Sequence, residues 1–336
     1  MNNTDEDGFH TVLLIGGRDA GKSNFLFRLW IAIDGGDGAL VKDGLPSEIG
    51  YLRAGSAELL EAAFAERSGP DLQERVGIPV KASVGLDTLR GLLVAPDVAG
   101  EQVLAIFRTR QWSSDWESLI SARCACLLFI RAGSDEIVAP LDWVTCIERF
   151  GTSIGPKPAM ERAAAVPVGS GGSDARDPEN EATGERGACQ ASEPEDEEPP
   201  ELPTQVVLIE WLQFLRRAFT AIAGGAFRPR VGIVISAWDA VPSDQQPNGP
   251  GSYVKENFPM LYDFIQANDE RFEFQMFGVS IVAGDLKNDE EFREEYRSGR
   301  PRDFGYVLHS LSGSLAHSRD ITLPVAWALR FLRELI

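Results

Sequence analysis

Apolar and polar positions alternate along the chain in two different rhythms. HTVLLI (residues 10–15) is a short continuous apolar run, the pattern of a strand buried on both faces. KSNFLFRLWIAI (22–33) has helical spacing and opens on Lys-Ser. Residues 34–50 are rich in Gly and Asp and predict a loop. SAELLEAAFAER (56–67) predicts a helix with a Ser start. Two strands follow at 76–84 and 88–95, linked by GLD as a tight hairpin. ACLLFIRA is another buried strand. A long helix starts at Thr204, and RVGIVISAWD from Arg230 reads as a strand. YVKENFPMLYDFIQAN reads as one helix with an awkward Pro259, FEFQMFGVSIVA as a strand, and LPVAWALRFLRELI as a closing helix. Apart from the hairpin, strands and helices alternate. The expectation is a three-layer α/β/α domain with a mostly parallel sheet and one antiparallel strand.

One stretch departs from both rhythms. Residues 151–203 hold twelve acidic residues against four basic ones, with no aromatics and abundant Gly, Pro and Ser. Such a composition cannot bury enough surface to offset its ordering entropy. It is expected to be a long disordered insertion in a single domain formed by 1–150 and 204–336; a linker between two domains is the alternative.

Composition narrows the function. With 336 residues and 43% hydrophobic content the chain can build a sizeable core. Its formal net charge of −19, with no dense Lys/Arg run, argues against nucleic acid and anionic membranes as partners. The polar, acidic start does not read as a signal or transit peptide. Apolar runs such as 124–130 fall far short of the roughly 20 residues a spanning helix needs, so no membrane insertion is expected. The four cysteines lack paired metal-ligand spacing and read as reduced thiols of a cytoplasmic protein, Cys124 and Cys126 packing on one side of their strand. His309 and His317 stand in a polar, loop-like region and read as surface residues.

The chemistry concentrates near the start. Gly16, Gly21, Lys22 and Ser23 satisfy G-x-x-x-x-G-K-[ST] between a strand and a helix. Such a loop wraps backbone N–H groups around a β-phosphate, Lys22 bridges phosphates, and the Ser23 hydroxyl takes Mg²⁺. The candidate phosphate-binding set is therefore Gly16, Gly17, Arg18, Asp19, Ala20, Gly21, Lys22, Ser23 and Asn24. Arg18 either reaches a γ-phosphate or points to solvent. Asp19 is unfavourable near phosphates unless it faces a cation. Downstream, Asp97-x-x-Gly100 follows a strand end, where a carboxylate suits Mg²⁺ and the Gly N–H suits a γ-phosphate. Asp239, just past a buried strand, can accept from the N1 and N2 donors of guanine, a pair adenine lacks.

With GGRDAGKS, DVAG and SAWD in this order, and FGVSIVAGD where a last base-contacting loop would stand, the chain resembles the Ras-like, translation-factor-related class of P-loop GTPases. The closing DITLPVAWAL and the SAWD form make it most similar to the small GTPase-like proteins, the double-GTPase group, of bacterial conflict or signalling operons. The resemblance covers residues 10–150 and 204–336. It implies a GTP/GDP-binding switch with Mg²⁺ as cofactor, slow hydrolysis with Lys22 and Glu101 as catalytic candidates, Glu101 standing at the water-orienting position, and a protein partner. The chain departs from the family in three places. Ala237 stands where the family has a base-packing Lys. No Thr occurs between Asp34 and Asp87 to serve as the switch ligand. Glu101 replaces the usual Gln, with Gln102 one residue later. A non-hydrolysing nucleotide-binding scaffold and an ATPase component remain as alternatives.

Overall fold

A computed structural model describes residues 10–17, 19–65, 75–84, 87–96, 109, 124–135, 137–138, 202–223, 228–311 and 314–329. The chain divides into one unit of residues 1–139 and 203–336 and another of 140–202; of the expected disordered insertion, residues 151–201 lie outside the described residues.

The order of elements in the described unit is β1 (His10–Gly16), α1 (Lys22–Gly35), β2 (Val41–Lys42), α2 (Ile49–Leu60), β3 (Arg75–Val84), β4 (Asp87–Pro96), β5 (Cys124–Arg131), α3 (Thr204–Ala223), β6 (Arg230–Ser236), α4 (Gly249–Asn257), α5 (Pro259–Ala267), β7 (Glu273–Ser280), α6 (Glu290–Ser298), β8 (Tyr306–Leu311), β9 (Ser314–Ser318) and α7 (Leu323–Ala328). Among the described residues, nine strands form one sheet in the order β2-β3-β4-β1-β5-β6-β7-β8-β9. Its centre, β4-β1-β5-β6-β7, is parallel.

The continuous apolar strands are explained by two covered faces. In β1, Val12 and Leu14 join a core with Phe25 and Leu29 of α1, Leu52 of α2 and Val325 of α7. Their neighbours Leu13 and Ile15 point the other way, into a core with Leu212 and Leu215 of α3, Val254 of α4 and Leu261 of α5. This is the expected three-layer α/β/α arrangement. Cys124 and Cys126 share the second core, as their spacing of two predicted.

Four details differ from the sequence-based expectations. The helix expected at 56–67 starts earlier, at Ile49, and ends at Leu60. Its Gly55 lies where a Cβ would stand 2.3 Å from the Phe27 ring, so close packing on α1 outweighs glycine's poor helix propensity. The helix across Pro259 is two helices, parted at Phe258, because the residue before a proline is pushed out of helical conformation. Beyond the β3–β4 hairpin the sheet adds a second reversed strand, β8, antiparallel to β7, and β9 antiparallel to β8. His309 on β8 is consequently buried, not a surface residue; its ring lies 6.3 Å from that of Phe277.

Arg28 is the exception in the apolar stripe of α1. Only 2% exposed, it donates from Nε to the Ile281 carbonyl at 3.2 Å, and from Nη2 to the carbonyls of Pro301 at 2.6 Å and Phe304 at 3.0 Å. The side chain satisfies three acceptors and ties α1 to the segment after β7. Burial lowers its pKa, opposed by nearby Tyr296, Asp37 and Asp320.

Candidate functional site

β1 pairs with β4 on one side and β5 on the other, so the chain reverses its direction of winding at β1. In open α/β sheets, ligands bind outside the carboxyl ends of the strands at such a point. The loop 16–21 leaves the sheet there and closes on α1.

Two glycines in that loop are required by space. A Cβ on Gly16 would stand 2.8 Å from the Phe129 carbonyl oxygen. Gly21 has φ +82°, and a Cβ there would stand 2.7 Å from Ser236 Oγ. Gly21 is the N-cap of α1 and makes no side-chain capping bond, leaving that helix end without the carboxylate or hydroxyl that often occupies it. Lys22 Nζ donates to the carbonyls of Gly16 at 2.6 Å and Gly17 at 2.9 Å, which holds the ammonium over its own loop. Ser23 follows in the first turn of α1 and is partly exposed. The Asn24 amide oxygen accepts from Ala65 N at 3.1 Å, so this side chain is committed to the chain beyond α2. Arg18 lies outside the described residues.

Asp19 does face a cation. With φ +54° it turns its carboxylate to β5, where Arg131 Nη1 lies 2.6 Å from Oδ1 and Ser134 Oγ donates to Oδ2 at 2.8 Å. Neither partner was identified from the sequence. The available signal was a lone charge closing the apolar strand CACLLFIR.

Asp97, Gly100 and Glu101 also lie outside the described residues. β4, which ends at Pro96, runs parallel to β1 with Leu13 opposite Val94. Both strands therefore leave the sheet at the same edge, and Asp97 follows directly. Ser23 supplies a hydroxyl at the start of α1, an oxygen donor of the kind Mg²⁺ takes. Among the described residues no cluster of three His, Cys, Asp or Glu side chains forms a metal site.

The base motif sits at the end of β6, two strands from β1. Ala237 has φ +51° and opens a 3₁₀ turn over 238–240 that carries Asp239. Trp238 anchors the turn. It is buried, its ring stands 5.7 Å from that of Tyr253, and a Cβ on Gly278 of β7 would collide with it at 2.5 Å. Asp239 is half-buried, and desolvation raises its carboxyl pKa; a hydrogen bond from the Ser280 side chain and the charge of Arg131 work against that rise. Ser280 also accepts from Ala283 N at 2.8 Å, shaping the loop after β7. Tyr306, opposite Ser280 on β8, feels the Asp239 charge and stacks on His317 with ring centroids 4.6 Å apart. The sequence marked FGVSIVAGD, which contains Ser280, but not Tyr306, which sheet pairing sets opposite Ser280.

The two halves of the site are joined directly. Ser236 Oγ donates to the Ala20 carbonyl at 2.8 Å. The first residue of the base motif thereby holds the phosphate loop.

A phosphate loop, a following helix and a guanine-type carboxylate at one sheet edge set the terms for comparison with known proteins. A model of the family Double-GTPase 1 matches residues 13–328. The chain belongs to that family. As a double-GTPase family member it is a GTP-binding domain. A comparison with curated proteins finds no match. Among solved structures, the chain is similar to Methanosarcina barkeri Roco2 RocCORdC bound to GDP, at 11% identity and a TM-score of 0.28, over 86% of this chain and 46% of that one. The chain thus spans less than half of that protein's length, and so distant a likeness carries no inference. Among the described residues, no helix of this double-GTPase is long and apolar enough to cross a membrane.

Proposed function

We propose that the protein is a GTP-operated switch that hydrolyses GTP slowly with Mg²⁺ and regulates a protein partner in a bacterial multi-protein system. The observation that carries this reading is the Ser236–Ala20 hydrogen bond, which couples the base-side carboxylate to the phosphate loop. Lys22 would exchange its loop carbonyls for β- and γ-phosphate oxygens and stabilise charge developing there. Mg²⁺, held by the Ser23 hydroxyl and Asp97, would neutralise charge on the same oxygens. The Gly100 N–H would sense the γ-phosphate, and Glu101 would orient the attacking water. Residues 151–203 would be a dispensable insertion in one cytoplasmic domain. The family resemblance supports the partner and its setting.

A non-hydrolysing scaffold is the second reading, favoured by the absence of any Thr between Asp34 and Asp87. One experiment separates the two. Nucleotide is extracted from the purified protein and identified by chromatography; the stripped protein is then loaded with GTP and followed with Mg²⁺ or with chelator. GDP appearing only with Mg²⁺ supports the switch. Bound GTP that persists in both supports the scaffold, and ATP as the extracted nucleotide defeats the GTP switch.

A further inference from the structure

The base motif lacks its Lys, and Ala237 occupies that position with a side chain too short to reach a ligand. A different cation stands beside it. Arg131 ends β5, directly opposite Ser236 of β6 in the parallel register, and the two strands stay joined past their ends by the hydrogen bond from Ala132 N to the Ser236 carbonyl at 3.0 Å. The Arg131 side chain remains 44% exposed while its guanidinium grips Asp19 of the phosphate loop at 2.6 Å. One face of the cation is thus spent on the loop, and much of the side chain remains accessible at the edge where Asp239 emerges.

We propose that Arg131, reaching over from the neighbouring strand, replaces the absent Lys as the residue that positions the phosphate loop and packs against the purine and ribose of a bound guanine nucleotide beside Asp239. This inference rests on the guanine-nucleotide reading of the same site. A guanidinium is planar and weakly hydrated, so it can stack on a base while its edge keeps hydrogen bonds. Ser134 supports the arrangement by donating to the second oxygen of Asp19, which fixes the carboxylate that orients Arg131. Among the described residues, the charges and titratable groups acting around Asp239 are Arg131 from β5, Asp285 from the loop after β7 and Tyr306 from β8, with the Ser280 hydroxyl from β7, and Arg131 is the cation of this set.

Two substitutions distinguish this role from simple loop bracing. Arg131→Ala removes both the packing and the charge. Asp19→Asn cuts the ion pair and leaves Arg131 in place. GDP and IDP affinities of the full chain are measured across pH with fluorescent analogues, alongside the wild type. Arg131→Ala should weaken GDP and IDP alike by about tenfold or more, since stacking is indifferent to the 2-amino group. It should also move the acid limb of GDP binding to higher pH, because the Asp239 carboxylate loses its supporting cation. Asp19→Asn should move that limb to lower pH, because Arg131 loses its counter-charge. If both variants shift in the same direction, or if Arg131→Ala binds GDP like the wild type, the proposal is overturned while the guanine reading stands. A wild-type chain that binds no guanine nucleotide overturns both.

Discussion

Ser236 Oγ lies 2.8 Å from the Ala20 carbonyl, 216 residues away in the chain, and its hydroxyl is the atom that a Cβ on Gly21 would strike. Base recognition and phosphate recognition are consequently one mechanical unit. A buried hydrogen bond thus links the segment that carries Asp239 to the phosphate loop.

Replacing Ser236 with Ala leaves the Ala20 carbonyl without that donor. An unsatisfied buried acceptor costs about 1–3 kcal/mol. Urea unfolding of the empty protein should show a loss in that range, and GDP affinity should fall with it. A variant with wild-type stability and affinity would mean that the two motifs act independently.

Lys22→Ala should leave the fold intact, since Nζ bonds two carbonyls of a partly exposed loop. It should abolish most nucleotide binding. Each charge-assisted hydrogen bond lost is worth roughly 1.5–3 kcal/mol, or one to two decades of affinity. Isothermal titration with GTP and GDP, checked against far-UV circular dichroism, measures both. Unchanged affinity would remove the phosphate loop from the site.

Asp239→Asn exchanges one acceptor for a donor, which suits xanthine, whose C2 bears oxygen. GTP should weaken by about one to two decades and XTP should gain relative to it. Competition against a fluorescent GTP analogue reads the ratio, and a constant ratio excludes Asp239 from base reading. The wild type should also show a pH effect. Guanine needs the carboxylate form, and burial raises the Asp239 pKa above its ordinary value. Affinity should hold at neutral pH and fall as pH drops through that raised pKa, at a higher pH than an exposed aspartate would require.

His309 makes a prediction about stability. Burial lowers its pKa from the ordinary 6.5, so the unfolded chain binds a proton more readily than the folded one. Its neutral form is fully compatible with the fold above pH 6.5, and stability is lost as pH falls from there through the lowered folded value. Melting temperatures of wild type and His309→Phe, compared from pH 8 to 5, should diverge below that point, with the variant less sensitive to acid. Parallel curves would show that His309 binds protons equally well in the folded and unfolded states.

Arg28→Met should be the most destabilising of these changes. It strands the carbonyls of Ile281, Pro301 and Phe304, at about 1–3 kcal/mol for each that water cannot reach. Arg28→Lys should recover part of the loss. Thermal melts of the two variants against wild type measure it, and a Met variant as stable as wild type would show that these carbonyls find other donors.

The primary sequence by itself determined the layers and the phosphate loop. Both are local: period-2 and period-3.6 patterns report which faces are covered, and G-x-x-x-x-G-K-[ST] reports a loop whose backbone does the binding. The carboxylate at Asp239 was legible for the same reason, as a charge just past an apolar strand. Tertiary structure decided the rest, because it depends on pairing between distant segments. YVLHSL reads as polar loop until β7 supplies its hydrogen bonds and Phe277 approaches His309. Gly55 and Gly278 read as weak points until Phe27 and Trp238 fill the space they leave. Arg131, Ser134 and Tyr306 carry no motif at all. They reach Asp19 and Asp239 only because parallel β5 and β6 end, and antiparallel β8 begins, at one edge of the sheet, a consequence of strand order that no local pattern encodes.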